Sequence, residues 1–391
     1  MTAGAWTETV SRLWPGSDVS HVHRRGGQLV FLPSAREARI LLPLDAPRAA
    51  GTALRRFSHD LGPRARLGRG LLSLALRTGL PQRLLPDRVR VGSTGGPSGG
   101  PSVQDRLSDL LGQPVVVSVT IGNERANRKP VLQALTPSGR SLAFVKIGDT
   151  DVARALIAAE AGALRTLSAC SLRGIRTPEL IAYESWGTVD ALVMSALSSG
   201  VRRWRPRDEM PVGAMAELAS ITATTAELAG SPFWNALMST PALLPDGEAA
   251  SRLATVLGRL GERHGGVRLS YGAWHGDWTP WNMAWQRDVL HLWDWERFAQ
   301  AVPVGFDALH YALQQIRPTT SWTAQRVWSG DTLAVLAPFG LKGSAGSTTL
   351  TLYLAELCSR YLVASRGSIG VPLRAQADAL LDLLDRHTTT S

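Results

Sequence analysis

The stretch Trp274-His275-Gly276-Asp277-Trp278-Thr279-Pro280-Trp281-Asn282, continued by Val289-Leu290-His291-Leu292-Trp293 and closed by Asp294-Trp295-Glu296, decides how this chain is read. Its polar side chains fall at the spacing H-x-D-x-x-x-x-N, and Asp294 follows twelve residues after Asn282, at the end of an apolar run that reads as a short strand. Gly276 and Pro280 keep the intervening backbone out of helix, so the loop can turn its side chains toward a common centre. Asp277, Asn282 and Asp294 are thereby carried on one hairpin.

Such a set suits phosphoryl transfer, which needs positioning and charge neutralisation more than covalent help. One carboxylate orients the attacking hydroxyl and takes its proton, a task that fits Asp277. A second carboxylate and an amide oxygen hold Mg²⁺ against nucleotide phosphates, which fits Asp294 and Asn282. The stretch resembles the HGD-x-x-x-x-N and D-x-E signatures of the aminoglycoside phosphotransferase and choline kinase family, which shares the protein-kinase fold. Gly276 stands where protein kinases carry Arg, and Trp295-Glu296 replaces their Phe-Gly, which points to the small-molecule branch. The resemblance covers residues 103–391. It implies an α+β, two-lobed protein-kinase-like fold: an antiparallel sheet lobe over residues 103–197 and a helical lobe over 198–391, with ATP and Mg²⁺ as cofactors.

On the amino-terminal side of that stretch, residues 115–121, 130–135 and 142–147 read as strands. Lys146 stands out because the chain has only three lysines among 42 basic residues, and this one sits in an apolar strand. The following helix, residues 151–167, places Glu160 among apolar residues as in the family's C-helix, so Lys146 and Glu160 are the expected pair at the α- and β-phosphates. The hairpin tip at 122–128 would cover the phosphates; it has Gly122 alone, with Arg125 and Arg128 to supply positive charge. The backbone around Met194 and Ala196 would meet the adenine edge. Asp307 resembles a family acid that supports the catalytic loop from below. Six tryptophans crowd residues 274–295, and Trp278 and Trp281, inside the loop, are the candidates for an aromatic wall at the acceptor.

Residues 1–91 read as a small α/β extension without a catalytic constellation; His21, His23 and His59 lack a carboxylate or Cys at ligand spacing. The Gly/Ser/Pro run of residues 92–102 reads as a linker, which sets the extension apart from the lobes. Ser102 and Asp105 suggest a capping box on a short helix that Gly112 ends. Residues 1–100 hold 15 Arg, no Lys and six acids, so nine of the ten net positive charges lie there. A solvated Arg-rich surface explains this more simply than a nucleic-acid or membrane site. The two cysteines, Cys170 and Cys358, show no redox or metal spacing. With no signal segment and no long apolar run, the expected setting is cytoplasmic.

The expected activity is transfer of the ATP γ-phosphate to a hydroxyl of a small molecule: an antibiotic, a sugar or an amino alcohol. The modest acid content of residues 297–391 leans away from a polycationic acceptor. A different reading is a catalytically silent kinase-like module that docks a partner through its basic amino-terminal segment.

Overall fold

The computed structural model describes residues 5–56, 63–80, 84–93, 100–121, 129–197, 201–205, 208–315, 323–366 and 371–390. They form two compact units, residues 1–161 with 178–198, and residues 162–177 with 199–391.

The first unit is built on one nine-stranded sheet. Its amino-terminal part comprises α1 (Ala5–Leu13), β1 (Ser17–His23), β2 (Leu29–Leu32), β3 (Ile40–Pro43), α2 (Pro47–Arg56), α3 (Pro63–Leu76) and β4 (Asp87–Ser93). It continues with α4 (Val103–Leu111), β5 (Val116–Thr120), β6 (Val131–Leu135), β7 (Ser141–Gly148), α5 (Asp151–Ser168), β8 (Leu180–Trp186) and β9 (Val189–Ser195). The strand order is β1-β4-β2-β3-β5-β6-β7-β9-β8, with antiparallel pairing throughout.

The setting apart of residues 1–91 is corrected by this sheet. Ile40 lies opposite Thr120 and Leu41 opposite Val119, so β3 closes the edge that β5 would otherwise present to water. Packing follows the pairing. Trp6, Val10, Leu29, Phe31 and Leu41 share one buried cluster with Val103, Leu107, Val119, Leu132, Val145, Ile147 and Val193. Val30, Ile40 and Leu42 face the other way, onto Ala49, Ala50, Ala53 and Leu54 of α2. Both faces of β2 and β3 are therefore covered, which is why they read as unbroken apolar runs instead of alternating ones. Strand pairing also supplies the carboxylate absent near His21 and His23 in sequence. Asp87 lies opposite His23 across β1 and β4, and its Oδ1 is 3.1 Å from His21 Nε2. The capping box forms as expected: Ser102 accepts from the Asp105 N–H, Asp105 accepts from the Ser102 N–H, and Gly112 ends α4 in the left-handed region.

The second unit contains α6 (Val212–Ser220), β10 (Thr224–Glu227), α7 (Pro232–Ser239), α8 (Glu248–His264), β11 (Arg268–Trp274), β12 (Met283–Gln286), β13 (Val289–Leu292), β14 (Ala299–Pro303), α9 (Phe306–Gln315), α10 (Gly343–Ala364) and α11 (Val371–Thr390). Strand β11 lies between β10 and β14, and β12 and β13 make a separate hairpin. Leu253, Val256 and Leu257 of α8 pack with Phe306 and Leu309 of α9, Leu350 and Leu354 of α10, and Leu380 and Leu384 of α11. Residues 275–282 run from β11 into the β12–β13 hairpin, so their two ends are held by paired strands. No helix among the described residues is long and apolar enough to cross a membrane.

Leu41 is fully buried and joins the amino-terminal strands to β5, so Leu41→Ala should cost about 2 to 5 kcal/mol. A denaturant titration followed by tryptophan fluorescence measures this. Deleting residues 1–91 should leave an aggregating chain; a soluble, cooperatively unfolding remainder would show that β5 needs no partner.

Candidate active site

The loop between β11 and β12 is organised by Asp307 in the first turn of α9. Its Oδ2 accepts the His275 N–H at 2.8 Å and its Oδ1 the Gly276 N–H at 3.1 Å. Burial pushes the Asp307 carboxyl up to about 7, against the pull of these two N–H groups and of the Arg360 cation. Gly276 has φ +79°, and a Cβ there would come within 2.5 Å of the Arg297 carbonyl oxygen, so only glycine lets the loop pass. The Gly276 carbonyl in turn accepts from Arg360 at 2.8 Å, and that guanidinium lies 5.0 Å over the Trp274 ring.

His275 is fully buried, and its partners fix its tautomer. Nδ1 faces the Asp277 backbone N–H at 3.2 Å and must accept, while Nε2 faces the Trp293 carbonyl at 2.9 Å and must donate. Burial, more than any neighbour, lowers its pKa to about 4, so the ring is neutral at pH 7. One imidazole thus ties the backbone before Asp277 to the backbone before Asp294.

Asp277 has both carboxylate oxygens engaged. Asn282 Nδ2 donates to Oδ2 at 2.9 Å and to the Asp277 carbonyl at 3.0 Å, and His310 Nε2 lies 3.1 Å from Oδ1. The amide nitrogen of Asn282 is thereby committed to Asp277, which turns its carbonyl oxygen away from that carboxylate. The Trp293 N–H donates to the Asn282 backbone carbonyl at 3.1 Å, so Asn282 and Asp294 sit at the same end of the hairpin. Asp294 adopts φ +69°, a conformation that Asp tolerates better than most residues and that costs of order 1 kcal/mol.

In the first unit, Lys146 Nζ lies 2.7 and 2.6 Å from the two carboxylate oxygens of Glu160. The lysine is 7% exposed and the glutamate 0%. Lys146 stands on β7, bonded on one side to β6 and on the other to β9, so its backbone is fixed by both neighbours.

Neither a family model nor a curated protein matches the sequence. Solved structures do. The chain superposes on the aminoglycoside phosphotransferase APH(4)-Ia in its ternary complex with ADP and hygromycin B at 14% identity and a TM-score of 0.51, covering 74% of this chain and 100% of that one. A second ternary complex of that enzyme, with AMP-PNP and hygromycin B, gives 14% identity, a TM-score of 0.51, and coverage of 75% and 100%. This chain has the aminoglycoside phosphotransferase fold. Choline kinase LicA from Streptococcus pneumoniae is more distant, at 15% identity, a TM-score of 0.47, and coverage of 72% and 98%.

Within the aminoglycoside phosphotransferase fold, the hairpin's donors fit a hard divalent cation. Asp294 and Glu296 each bring a carboxylate oxygen to within 4.8 Å of the other, two like charges that a cation between them would relieve. Other expectations change. The Ala196 N–H is spent on the Leu142 carbonyl at 3.1 Å and the Ser195 N–H on Glu179 at 2.9 Å, while Met194 lies between β7 and β8. An adenine edge therefore finds no donor in the N–H groups of Ser195 and Ala196. Gly122, Arg125 and Arg128 lie outside the described residues. Trp278 is a core residue at 0% exposure, whereas Trp281 is 49% exposed and stays available to a ligand.

Sequence reasoning missed His310, Tyr353, Arg297 and Arg360. His310 carried a faint signal, since it stands one turn after Asp307 on the same helix face. Arg297 lies against Gly276, and burial together with the Arg360 cation lowers its guanidinium pKa.

Two measurements test this geometry. Lys146→Met should cost about 3 to 5 kcal/mol by taking the lysine from the buried Glu160 carboxylate, and Lys146→Met with Glu160→Leu should recover most of it; a double variant whose loss equals the sum of the two single losses would mean the pair is not coupled. His275 should make the chain acid-sensitive. Its folded pKa is depressed to about 4 from 6.5, so its contribution is fully present above 6.5 and is lost as pH falls toward 4. From pH 7 to pH 5 this ring should remove about 2 kcal/mol of stability, and His275→Gln should flatten that part of a urea-denaturation profile.

Proposed function

We propose that the chain is a Mg²⁺-dependent phosphotransferase that moves the ATP γ-phosphate to a hydroxyl of a small molecule. The observation that carries this reading is the Asp277 carboxylate, held from both oxygens by Asn282 and His310 on a loop whose backbone is pinned by Asp307. A carboxylate so fixed directs its remaining lone pairs at one point, where an acceptor hydroxyl would be oriented and deprotonated. Asp294, Asn282 and Glu296 would hold Mg²⁺, which when bound neutralises charge on the phosphate oxygens. Lys146, kept in place by Glu160, would meet the α- and β-phosphates. The neighbours' complexes with ADP and AMP-PNP support a nucleotide as donor.

The acceptor is read as a molecule that is not polycationic. Several acids near the carboxyl end of the second unit are paired with arginine: Asp382 with Arg252, Asp385 with Arg259, Asp378 with Arg374 and Glu356 with Arg360. These pairs reduce the charge offered to several amines, and the exposed Trp281 suits a sugar ring or an alkylammonium alcohol. A reducing, cytoplasmic setting agrees with Cys170 and Cys358 both being free thiols.

A screen of hydroxyl compounds for an ATP-dependent mass gain of one phosphate tests the activity. Asp277→Asn should lose roughly 10² to 10⁴ in kcat with ATP affinity unchanged. Asp294→Ala should abolish the tightening of ATP binding by Mg²⁺ while the fold persists. ATP binding by the unaltered chain that ignores Mg²⁺ would instead favour a silent binding module.

A further inference from the structure

The contact of His310 with Asp277 continues behind the loop as a buried chain of hydrogen bonds. His310 Nε2 is 3.1 Å from Asp277 Oδ1, and His310 Nδ1 is 2.9 Å from the Tyr353 hydroxyl. His310 and Tyr353 are both buried, His310 on α9 and Tyr353 on α10, so the contacts are built by two packed helices. The partners dictate where the protons sit. Asp277 Oδ1 accepts, so Nε2 carries the hydrogen; Nδ1 then holds a lone pair, and the Tyr353 O–H donates to it. The other tautomer would turn an imidazole lone pair toward a carboxylate and leave the Nε2 position unpaired in a site closed to water.

The chain also has a direction and an end. Each group donates toward Asp277, from phenol to imidazole to carboxylate. Tyr353 is fully buried and its phenol is held well above its usual range by burial, so no proton can leave through it. A proton taken by Asp277 from an acceptor hydroxyl therefore has no exit along His310. Resting on the proposed function, we propose that His310 is a positioning residue for Asp277: locked in its Nε2–H tautomer by Tyr353, it holds one carboxylate oxygen while Asn282 holds the other, and so fixes the direction in which Asp277 meets the acceptor hydroxyl.

The test has one arm independent of turnover. In chain labelled with ¹⁵N-histidine, the ring nitrogens of His310, assigned by its loss in His310→Gln, should show hydrogen on Nε2 and a bare Nδ1 at pH 7.5. In Tyr353→Phe the Nδ1 signal should move, since its donor is gone, and in Asp277→Asn the Nε2 signal should move. Hydrogen on Nδ1, or ring signals indifferent to both substitutions, would overturn the proposal whatever the reaction is. The second arm follows hydrolysis of Mg²⁺·ATP with water as acceptor. His310→Phe should lower kcat about 10- to 100-fold with KM for ATP unchanged, the loss expected of one hydrogen bond to a charged group. His310→Gln, whose amide N–H can occupy the Nε2 position, should restore most of it. Equal losses in Phe and Gln, or a rise in KM instead of a fall in kcat, would overturn the positioning role. An unaltered chain with no turnover at all, but with the expected ring signals, would sink the phosphotransferase reading and leave the His310 geometry standing.

Discussion

The two backbone N–H groups that converge on Asp307 are the constraint from which the active loop follows. Adjacent amides of a strand point to opposite sides, and Gly276 at φ +79°, just past β11, makes the departure that lets these two converge. Once His275 and Gly276 are fixed, the rest is determined by short steps. The Asp277 N–H reaches the His275 ring, that ring reaches the carbonyl before Asp294, and the Gly276 carbonyl receives Arg360. Each of these groups is buried or nearly so, and leaving one unpaired would cost about 1 to 3 kcal/mol. The network thus persists only when all its members are satisfied, which makes the loop rigid with only the one-turn 3₁₀ helix Pro280–Asn282 inside it.

Where chemistry sits on contiguous residues, the sequence was readable. Asp277, Asn282 and Asp294 are spaced along one hairpin, so their convergence follows from loop and strand lengths alone. Lys146 and Glu160 were readable for another reason: a lysine in an Arg-rich chain, on an apolar strand, needs a buried partner, and one helix offers it. His310, Tyr353 and Arg360 were not readable. They reach the loop from 33 to 84 residues away, and each alone looks like an ordinary helix residue. The tryptophans show the limit of composition, since Trp278 and Trp281 lie three residues apart in one loop and end in opposite environments.

Charge shows a related limit. The Arg-rich composition gives no hint of where the guanidinium groups go, and in the second unit Arg252, Arg259, Arg360 and Arg374 are spent on its own acids. Arg252 and Arg259 join α8 to α11 through Asp382 and Asp385, while Arg360 serves the active loop. Most of these pairs are partly exposed and contribute little stability individually. Their consequence is electrostatic: each neutralises one carboxylate of the second unit.

The amino-terminal strands bear on the other half of the chemistry. Without them β5 would be an edge strand, and β7, which carries Lys146, would lie two strands from an open border. Edge strands open locally at low free-energy cost, whereas strands inside a covered sheet open only with the whole unit. By closing β5 with β3, and by packing α1 and α2 on the sheet, the extension removes one of the two open borders, while β7 stays two strands from the other, at β8. The apolar continuity of β2 and β3, which looks from sequence like a separate small core, is therefore better understood as the far side of the wall on which Lys146 stands.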